Sequence, residues 1–505
     1  MHHATQPILV RGLLLFCLWL PALATGDEPA CPITLDTPFP GWQPDQARQA
    51  RDWFDLYPAC LPPLRYARGD RWPLIFWQGV GDRPLQPAQV RALLARGVVQ
   101  HLPLDVRAIP AARALQAAGA PVIIMQGQGR DWPYGLLDDD TWRLPLREAQ
   151  RFSPMASVQA DPTRLDAWQL GAAQIRETLR AFRAAGIEVD AVWLDFEPQP
   201  LLLDLQTVRA AKHIAGQIPA EALADEAAFA LYRRRLYLQL VDAYIAAPIR
   251  EVFPHALSTN WIVTLSTPEA PVLSWDNWHH PQVVTGFSAT NPIAYGIDTA
   301  LLALAGTAPP ADQAALDRLY LHVLLRQVSA DAWNRHRQQS AQVAVPWVAR
   351  RVVDEQQETP AMSRAAYREG LRHLWLRGVA AMQVFNPAAD GHAWRRALAE
   401  AQDAQHVYDE MLLAGDLLQH GEVMNYQVPL PGERALLWSG LRDEQRAELR
   451  VTRNGSHRTG LLLQPWPGEV VLLPAPPEGA SYVLTRGDGK IGTRVLSRGD
   501  GPTPR

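Results

Sequence analysis

The sequence predicts an α/β domain followed by a smaller all-β domain, and three features of the 505-residue chain carry that prediction. From residue 71 onward, short apolar runs alternate with amphipathic stretches at helical spacing, and eight such runs precede residue 405. No Gly-rich phosphate loop follows the first run, which argues against an open doubly wound sheet. Beyond about residue 405 the texture changes to short β-like runs separated by turns. Eight strand–helix units make a (β/α)8 TIM barrel the expected architecture of 71–405, and a small β-sandwich that of 406–505.

The elements follow in order. The first run is WPLIFWQGVGD (72–82), and a helical LQPAQVRALLARG closed by Gly97 comes next. VVQHLPLD ends at Asp105, PVIIMQGQG ends at Gly129, and VDAVWLDFE is the fourth run. The later ones are ALSTNWIVT (256–264), VVTGFSATN (283–291), QVAVPWVA (342–349) and VAAMQVFNP (379–387). Before the fourth run, Asp161-Pro162 supplies an N-cap and a first-turn proline, and Gly186 stops the helix. Before the eighth, Ser363 caps a helix that ends by Gly378. In the last domain ALLWSG, AELRVTR, GLLLQPW, VVLLPAP and SYVLTR are strand-like, and Asn454-Gly455 is a hairpin signal. The tail from Arg498 is expected to be disordered.

Residues 1–24 have the pattern of a secretory signal, with Arg11, an apolar run over 13–20 and a small-x-small site at Ala22-Leu23-Ala24. The apolar run is shorter than the roughly 20 residues a spanning helix needs. The expectation is a secreted or periplasmic chain with no membrane attachment after cleavage. Residues 25–70 form an N-terminal extension in which Cys31 and Cys60 are the cysteines left once Cys17 is removed, and a bridge between them is expected. A net charge of -4, from 48 basic and 52 acidic residues, gives no field directed at nucleic acid or anionic lipid.

WLDFE (193–197) turns an apolar strand acidic at its end. Strand alternation puts Ala191, Trp193, Asp195 and Glu197 on one face and Val192, Leu194 and Phe196 on the other. With the apolar second set against the helices, the two carboxylates fall at the C-terminal mouth, where barrel enzymes build their sites. Mutual repulsion raises the pKa of one of them, as a general acid requires. Salt bridges to rim arginines are the purely structural alternative.

Asp190-x-x-x-x-Asp195-x-Glu197 resembles the strand-four signature of chitinase-like glycoside hydrolases, and Asp-x-Glu alone resembles that of the hyaluronidases. The resemblance implies a barrel in which Glu197 protonates the glycosidic oxygen as general acid/base. It implies that Asp195 orients a substrate N-acetyl group whose carbonyl acts as nucleophile. The chitinase pattern has an Asp where this chain has Trp193, so hyaluronidase-like or other relatives stay equally open. Glu197-Pro198 also resembles the Asn-Glu-Pro of barrel glycosidases with a second Glu on strand seven, but Phe196 replaces the Asn and strand seven ends in VPWVA. A substrate-assisted mechanism needs no protein nucleophile and fits this pattern. A two-carboxylate mechanism through Asp105 is the alternative.

Eighteen tryptophans, many at run ends or in the loops after them, suit sugar stacking, although core filling accounts for any one of them. Trp347 and Trp261 are the preferred platforms, with Trp77 beside them. Asn260, Gln126, Gln128, Asn291 and Asn386 could bond hydroxyls, and Tyr295 is the hydroxyl that a chitinase-like site would aim at the acetamide. No metal-ligand spacing, nucleophile elbow or nucleotide loop is visible, so no cofactor is expected. The reading is a glycoside hydrolase acting on a polysaccharide or oligosaccharide, with a non-catalytic carbohydrate-binding barrel as the alternative from another class.

Overall fold

The computed structural model describes residues 56–77, 80, 84–126, 165–194, 205–210, 212–260, 286–295, 312–350, 362–385, 391–429, 436–487, 490–498 and 501–502. The described residues up to Phe385 hold eleven short strands, and each expected apolar run contributes at least one. They are β1 (Leu74–Phe76), β2 (Val98–Gln100), β3 (Leu102–Pro103), β4 (Ile123–Gln126), β5 (Ala191–Leu194), β6 (Leu257–Asn260), β7 (Ala289–Thr290), β8 (Ile293–Tyr295), β9 (Val343–Ala344), β10 (Trp347–Ala349) and β11 (Gln383–Val384).

All their pairings are parallel, and they follow the chain. β1 pairs with β2, and β3, the continuation of the same run, pairs with β4. β4, β5 and β6 are neighbours in register, β7 pairs with β9, and β8 with β10. β10 pairs with β11, and β11 returns to β1, so the eighth run lies beside the first. The step from the fifth run to the sixth has no ladder among the described residues. Serines take its place: the Ser258 amide donates to Ser288 Oγ at 2.8 Å and the Ser288 amide to Ser258 Oγ at 3.4 Å. Parallel neighbours in this order are what a βα repeat with right-handed crossovers produces.

The helices carry the expected punctuation. α1 (Pro87–Leu94) and α2 (Ile109–Ala117) have proline in the first turn, and Gly97 and Gly186 take positive φ, +70° and +75°, just past helix ends. α3 (Asp166–Ala184) buries Trp168, Ile175, Leu179 and Phe182, one face of the helix before the fourth run; Asp161 and Pro162 lie outside the described residues. α4 (Gln313–Arg337) is capped by Asp312 and α5 (Arg364–Trp375) by Ser363, whose Oγ accepts from the Ala366 amide at 3.2 Å. No helix among the described residues is long and apolar enough to cross a membrane.

The helical part runs further than the sequence texture suggested. α6 (Gly391–Met411) passes through residue 405, because Ala401, Ala404, Val407, Tyr408 and Met411 recur on one buried face. β structure resumes only at β12 (Glu422–Val423), which is followed by β13 (Leu436–Arg442), β14 (Arg446–Arg453), β15 (Gly460–Trp466), β16 (Glu469–Pro474), β17 (Ala480–Gly487), β18 (Lys490–Arg498) and β19 (Gly501–Pro502). Six of these form one antiparallel sheet in the order β12-β13-β14-β17-β18-β19, and β15-β16 form a two-stranded ribbon. Leu461, Leu463, Trp466 and Leu473 of the ribbon share a core with Ala447, Leu449, Val451, Tyr482 and Leu484 of the sheet.

Two local expectations change here. Asn454-Gly455 is a turn, with Gly455 at φ +73°, but it leads from the sheet into the ribbon and does not join paired strands. Arg498 pairs with Gly501, so part of the tail folds back as an edge strand. Cys60 is buried and Cys31 lies outside the described residues.

Candidate active site

The fourth run enters the ring as β5, all four residues of which are buried. Its register with β4 and β6 sorts side chains into two faces. Met125, Trp193 and Thr259 form one row, and Leu194 and Asn260 the next, on the opposite face. The second face also carries Ser258, which meets Ser288; two residues on, Thr290 Oγ1 reaches Asp331 Oδ2 of α4 at 2.9 Å. That side therefore looks toward the helices, and Trp193 looks inward. Asp195 and Glu197 lie immediately beyond β5, outside the described residues.

The register does not bring Asn260 to the face of Trp193. Asn260 is completely buried at the end of β6, while Gln126 ends β4 with its side chain outside the described set. Asp190 sits at the other end of the fourth run, where its carboxylate accepts from the Val122 amide at 2.7 Å and burial raises its pKa. Asp105, the alternative second carboxylate, is an N-cap. It accepts from the Arg107 amide at 2.8 Å and from Arg107 Nη2 at 2.6 Å, and this pairing lowers its pKa.

On the other half of the ring, Val99, Ile75, Gln383, Trp347 and Ile293 form one inward row. Trp77 and Phe385, two residues beyond Ile75 and Gln383, stack over that row. Trp77 meets Trp347 with ring centroids 5.3 Å apart and Phe385 at 4.9 Å, both edge-on, and Trp347 meets Phe385 at 6.0 Å. Edge-to-face contact is the favoured geometry for such rings. Trp347 is only 4% exposed and packs beneath Trp77, which stays half-buried. His101 lies 6.3 Å from Trp77, its Nε2 2.8 Å from the Trp77 carbonyl, and burial lowers its pKa to about 4.

Polar groups stand among these rings. Asn291 Nδ2 donates to the Val345 carbonyl and, at 3.3 Å, to Gln383 Oε1. Asn291 Oδ1, Gln383 Nε2, Trp193 Nε1 and His101 Nδ1 are buried without a protein hydrogen-bond partner. Four unpaired polar atoms on inward-facing residues are unusual, because buried polar groups are nearly always bonded. Gln383, Phe385 and His101 were not singled out from sequence. The signal available was a polar residue inside an otherwise apolar run.

Tyr295 ends β8 opposite Ala349, with its side chain outside the described residues. Trp261, Gln128 and Asn386 lie wholly outside them. Among the described residues no group of three or more His, Cys, Asp or Glu could hold a metal ion.

No family model matches the chain, and no curated protein matches it. Solved structures do, at low identity. One is an alpha-L-fucosidase isoenzyme 2 from Paenibacillus thiaminolyticus, at 12% identity and TM-score 0.37 over 68% of this chain and 50% of the other. Another is a beta-galactosidase from the Antarctic haloarchaeon Halorubrum lacusprofundi, at 13% identity and TM-score 0.44 over 68% and 58%. A third is bee venom hyaluronidase in complex with a hyaluronic acid tetramer, at 13% identity and TM-score 0.25 over 48% and 74%. The chain thus spans about half the length of the fucosidase. At these scores no residue role is carried across.

Proposed function

We propose that the chain is a secreted or periplasmic glycoside hydrolase whose ring of strands closes as a (β/α)8 barrel, and that it cleaves a polysaccharide at N-acetylhexosamine linkages. Glu197 is the general acid/base and Asp195 orients the acetamide that attacks the anomeric carbon. The observation that carries the reading is the inward face of β5. Trp193 is on it, and the expectation from the sequence alternation assigns Asp195 and Glu197 to the same face. The aromatic group Trp77, Trp347 and Phe385 and the unpaired polar atoms of Asn291, Gln383 and Trp193 support a carbohydrate site on the same side. Asp105 is engaged by Arg107, which speaks against its use as a second catalytic carboxylate.

The test is release of reducing ends across a panel of polysaccharides. Glu197→Gln keeps the shape of the side chain and cannot donate the proton, so it should retain the fold and lose at least about a hundredfold in turnover. Near wild-type turnover by that variant on the true substrate would remove Glu197 from the mechanism. No release on any glycan, with binding retained, would leave the non-catalytic barrel. A thiazoline mimic of the cyclised acetamide should inhibit strongly; a stable glycosyl adduct on an Asp or Glu would instead indicate a protein nucleophile.

Domain limits at 24, 70 and about 405, adjusted for the reach of α6, belong to the same proposal, as does a Cys31–Cys60 bridge. The buried position of Cys60 is compatible with the bridge. Non-reducing mass spectrometry of secreted material should find the two peptides linked, and two alkylatable thiols would refute the pairing.

A further inference from the structure

Where α5 meets the β domain, three arginines are buried, and two of them face carboxylates. Arg450 forks onto Glu369 through Nε at 2.8 Å, and Arg372 reaches Glu410 through Nη2 at 2.9 Å. The third, Arg377, is 1% exposed and meets only neutral oxygens. Its Nε donates to Ser439 Oγ at 2.9 Å, Nη1 to Ser329 Oγ and the Gln427 carbonyl, each at 2.9 Å, and Nη2 to the Trp438 carbonyl at 3.0 Å. One Nη2 proton is left over from the five a guanidinium carries. No carboxylate among the described residues pairs with it. A buried charge without a counter-ion costs several kcal/mol, and natural proteins rarely leave one so.

Arg377 lines a cavity of about 230 Å³ between the barrel and the β domain. Arg458 and Ser456, from the turn after β14, line it too, with Asn425 and Trp438. The Arg458 side chain is exposed at the rim and makes no ion pair among the described residues. Two guanidinium groups on one polar cavity, with the Ser456 hydroxyl and the Asn425 amide on the same wall, are a recognition set for a planar or tetrahedral oxyanion.

We propose that this cavity binds an oxyanion, a carboxylate or sulfate group, between Arg377 and Arg458. The group completes the charge balance that Glu369 and Glu410 supply to the neighbouring arginines. Burial also depresses the Arg377 pKa to about 9, the direction expected of a desolvated cation and one that a bound anion reverses.

The test is isothermal titration calorimetry of the purified mature chain with sodium sulfate, sodium acetate and sodium glucuronate at constant ionic strength, against sodium chloride. The expected result is saturable binding of at least one oxyanion at one site per chain and no binding of chloride. The lowest dissociation constant among the three separates a free inorganic ion from an acid carried on a sugar. Arg458→Ala, at an exposed position, should weaken that binding about tenfold. Arg458→Glu supplies a carboxylate in place, so it should abolish binding and raise Tm in the absence of any oxyanion. Arg377→Gln should also abolish binding, and if that variant fails to fold the two Arg458 variants decide. Heats from all three oxyanions no different from those of chloride, or affinity unchanged in Arg458→Ala, overturn the proposal.

Discussion

The inward face of the strand ring and the seam between α5 and the β domain both bury polar side chains, and they treat them in opposite ways. At the seam almost every group finds a partner. Glu369 accepts from Arg450 through Nε at 2.8 and 3.0 Å and from Thr452, while His373 bridges Ser439 Oγ and Thr452 Oγ1 at 3.0 Å each. Burial pushes the Glu369 pKa upward, but Arg450 and His373 outweigh it and hold the carboxyl well below its ordinary range. On the inward face, Asn291, Gln383, Trp193 and His101 each keep an unpaired polar atom. A saturated network specifies and holds a structure, whereas unsaturated groups held by a rigid scaffold have bonding capacity left for a ligand.

The largest effect should come from breaking the saturated side. Glu369→Gln leaves Arg450, which is completely buried, without its counter-charge, and Arg372 loses a second contact at 3.5 Å. Removing one partner of a buried pair costs about 3 to 5 kcal/mol, and the amide retains part of the hydrogen bonding. We expect a loss of about 3 kcal/mol in denaturant unfolding, with the α/β part and the β domain still melting together because the network spans both. A change below about 1 kcal/mol would show that the seam is not held by this pair.

Acid sharpens the comparison from the other side. The His101 pKa is about 4 in the fold and 6.5 when unperturbed, so between these values the unfolded chain binds the extra proton. Stability is therefore fully present above pH 6.5 and is lost as pH falls toward 4, by roughly 3 kcal/mol if His101 acts alone. His373 is shifted the same way by burial and adds to the loss in the same direction. Glu369, held low, contributes its loss only at more acidic pH. Unfolding free energies measured from pH 7 to pH 4 should fall steadily, and His101→Gln should flatten the slope. An unchanged slope in that variant would place the acid sensitivity elsewhere.

What could be read from the sequence differs between the same two regions. The ring was legible because each strand is a local apolar run and each helix has local punctuation, such as Ser363 and Gly378 around α5. The inward residues were partly legible: Trp347 and Asn291 stand out, while His101 and Gln383 sit inside apolar runs and gain meaning only from the register of β11 with β1 and β10. The seam could not be read. Glu369 and Arg450 are 81 residues apart, and no local pattern announces that an exposed-looking helix face will be covered by a sheet. The reach of α6 has a related reason, since its buried face is interleaved with charged residues that pair with α5, Asp403 with Arg364 and Arg368 among them. The same holds for the ribbon β15-β16, whose inner leucines look like those of any strand until a second sheet is there to receive them.

The smallest expected effect on stability carries the most information about the inward face. Gln383→Met keeps the length and most of the volume of the side chain while removing an amide whose Nε2 has no protein partner. Its Oε1 accepts one long bond, 3.3 Å from Asn291 Nδ2, and that nitrogen still has the Val345 carbonyl. The stabilising and destabilising terms nearly cancel, so unfolding should shift by less than about 1 kcal/mol in either direction. If the unpaired amide serves a glycan hydroxyl, the same substitution should weaken substrate binding several-fold, seen as a raised KM on the polysaccharide that the panel identifies. A stability loss as large as that of Glu369→Gln, or a glycan response identical to wild type, would mean that the inward polar groups are ordinary core and that the contrast between the two regions is not one of function.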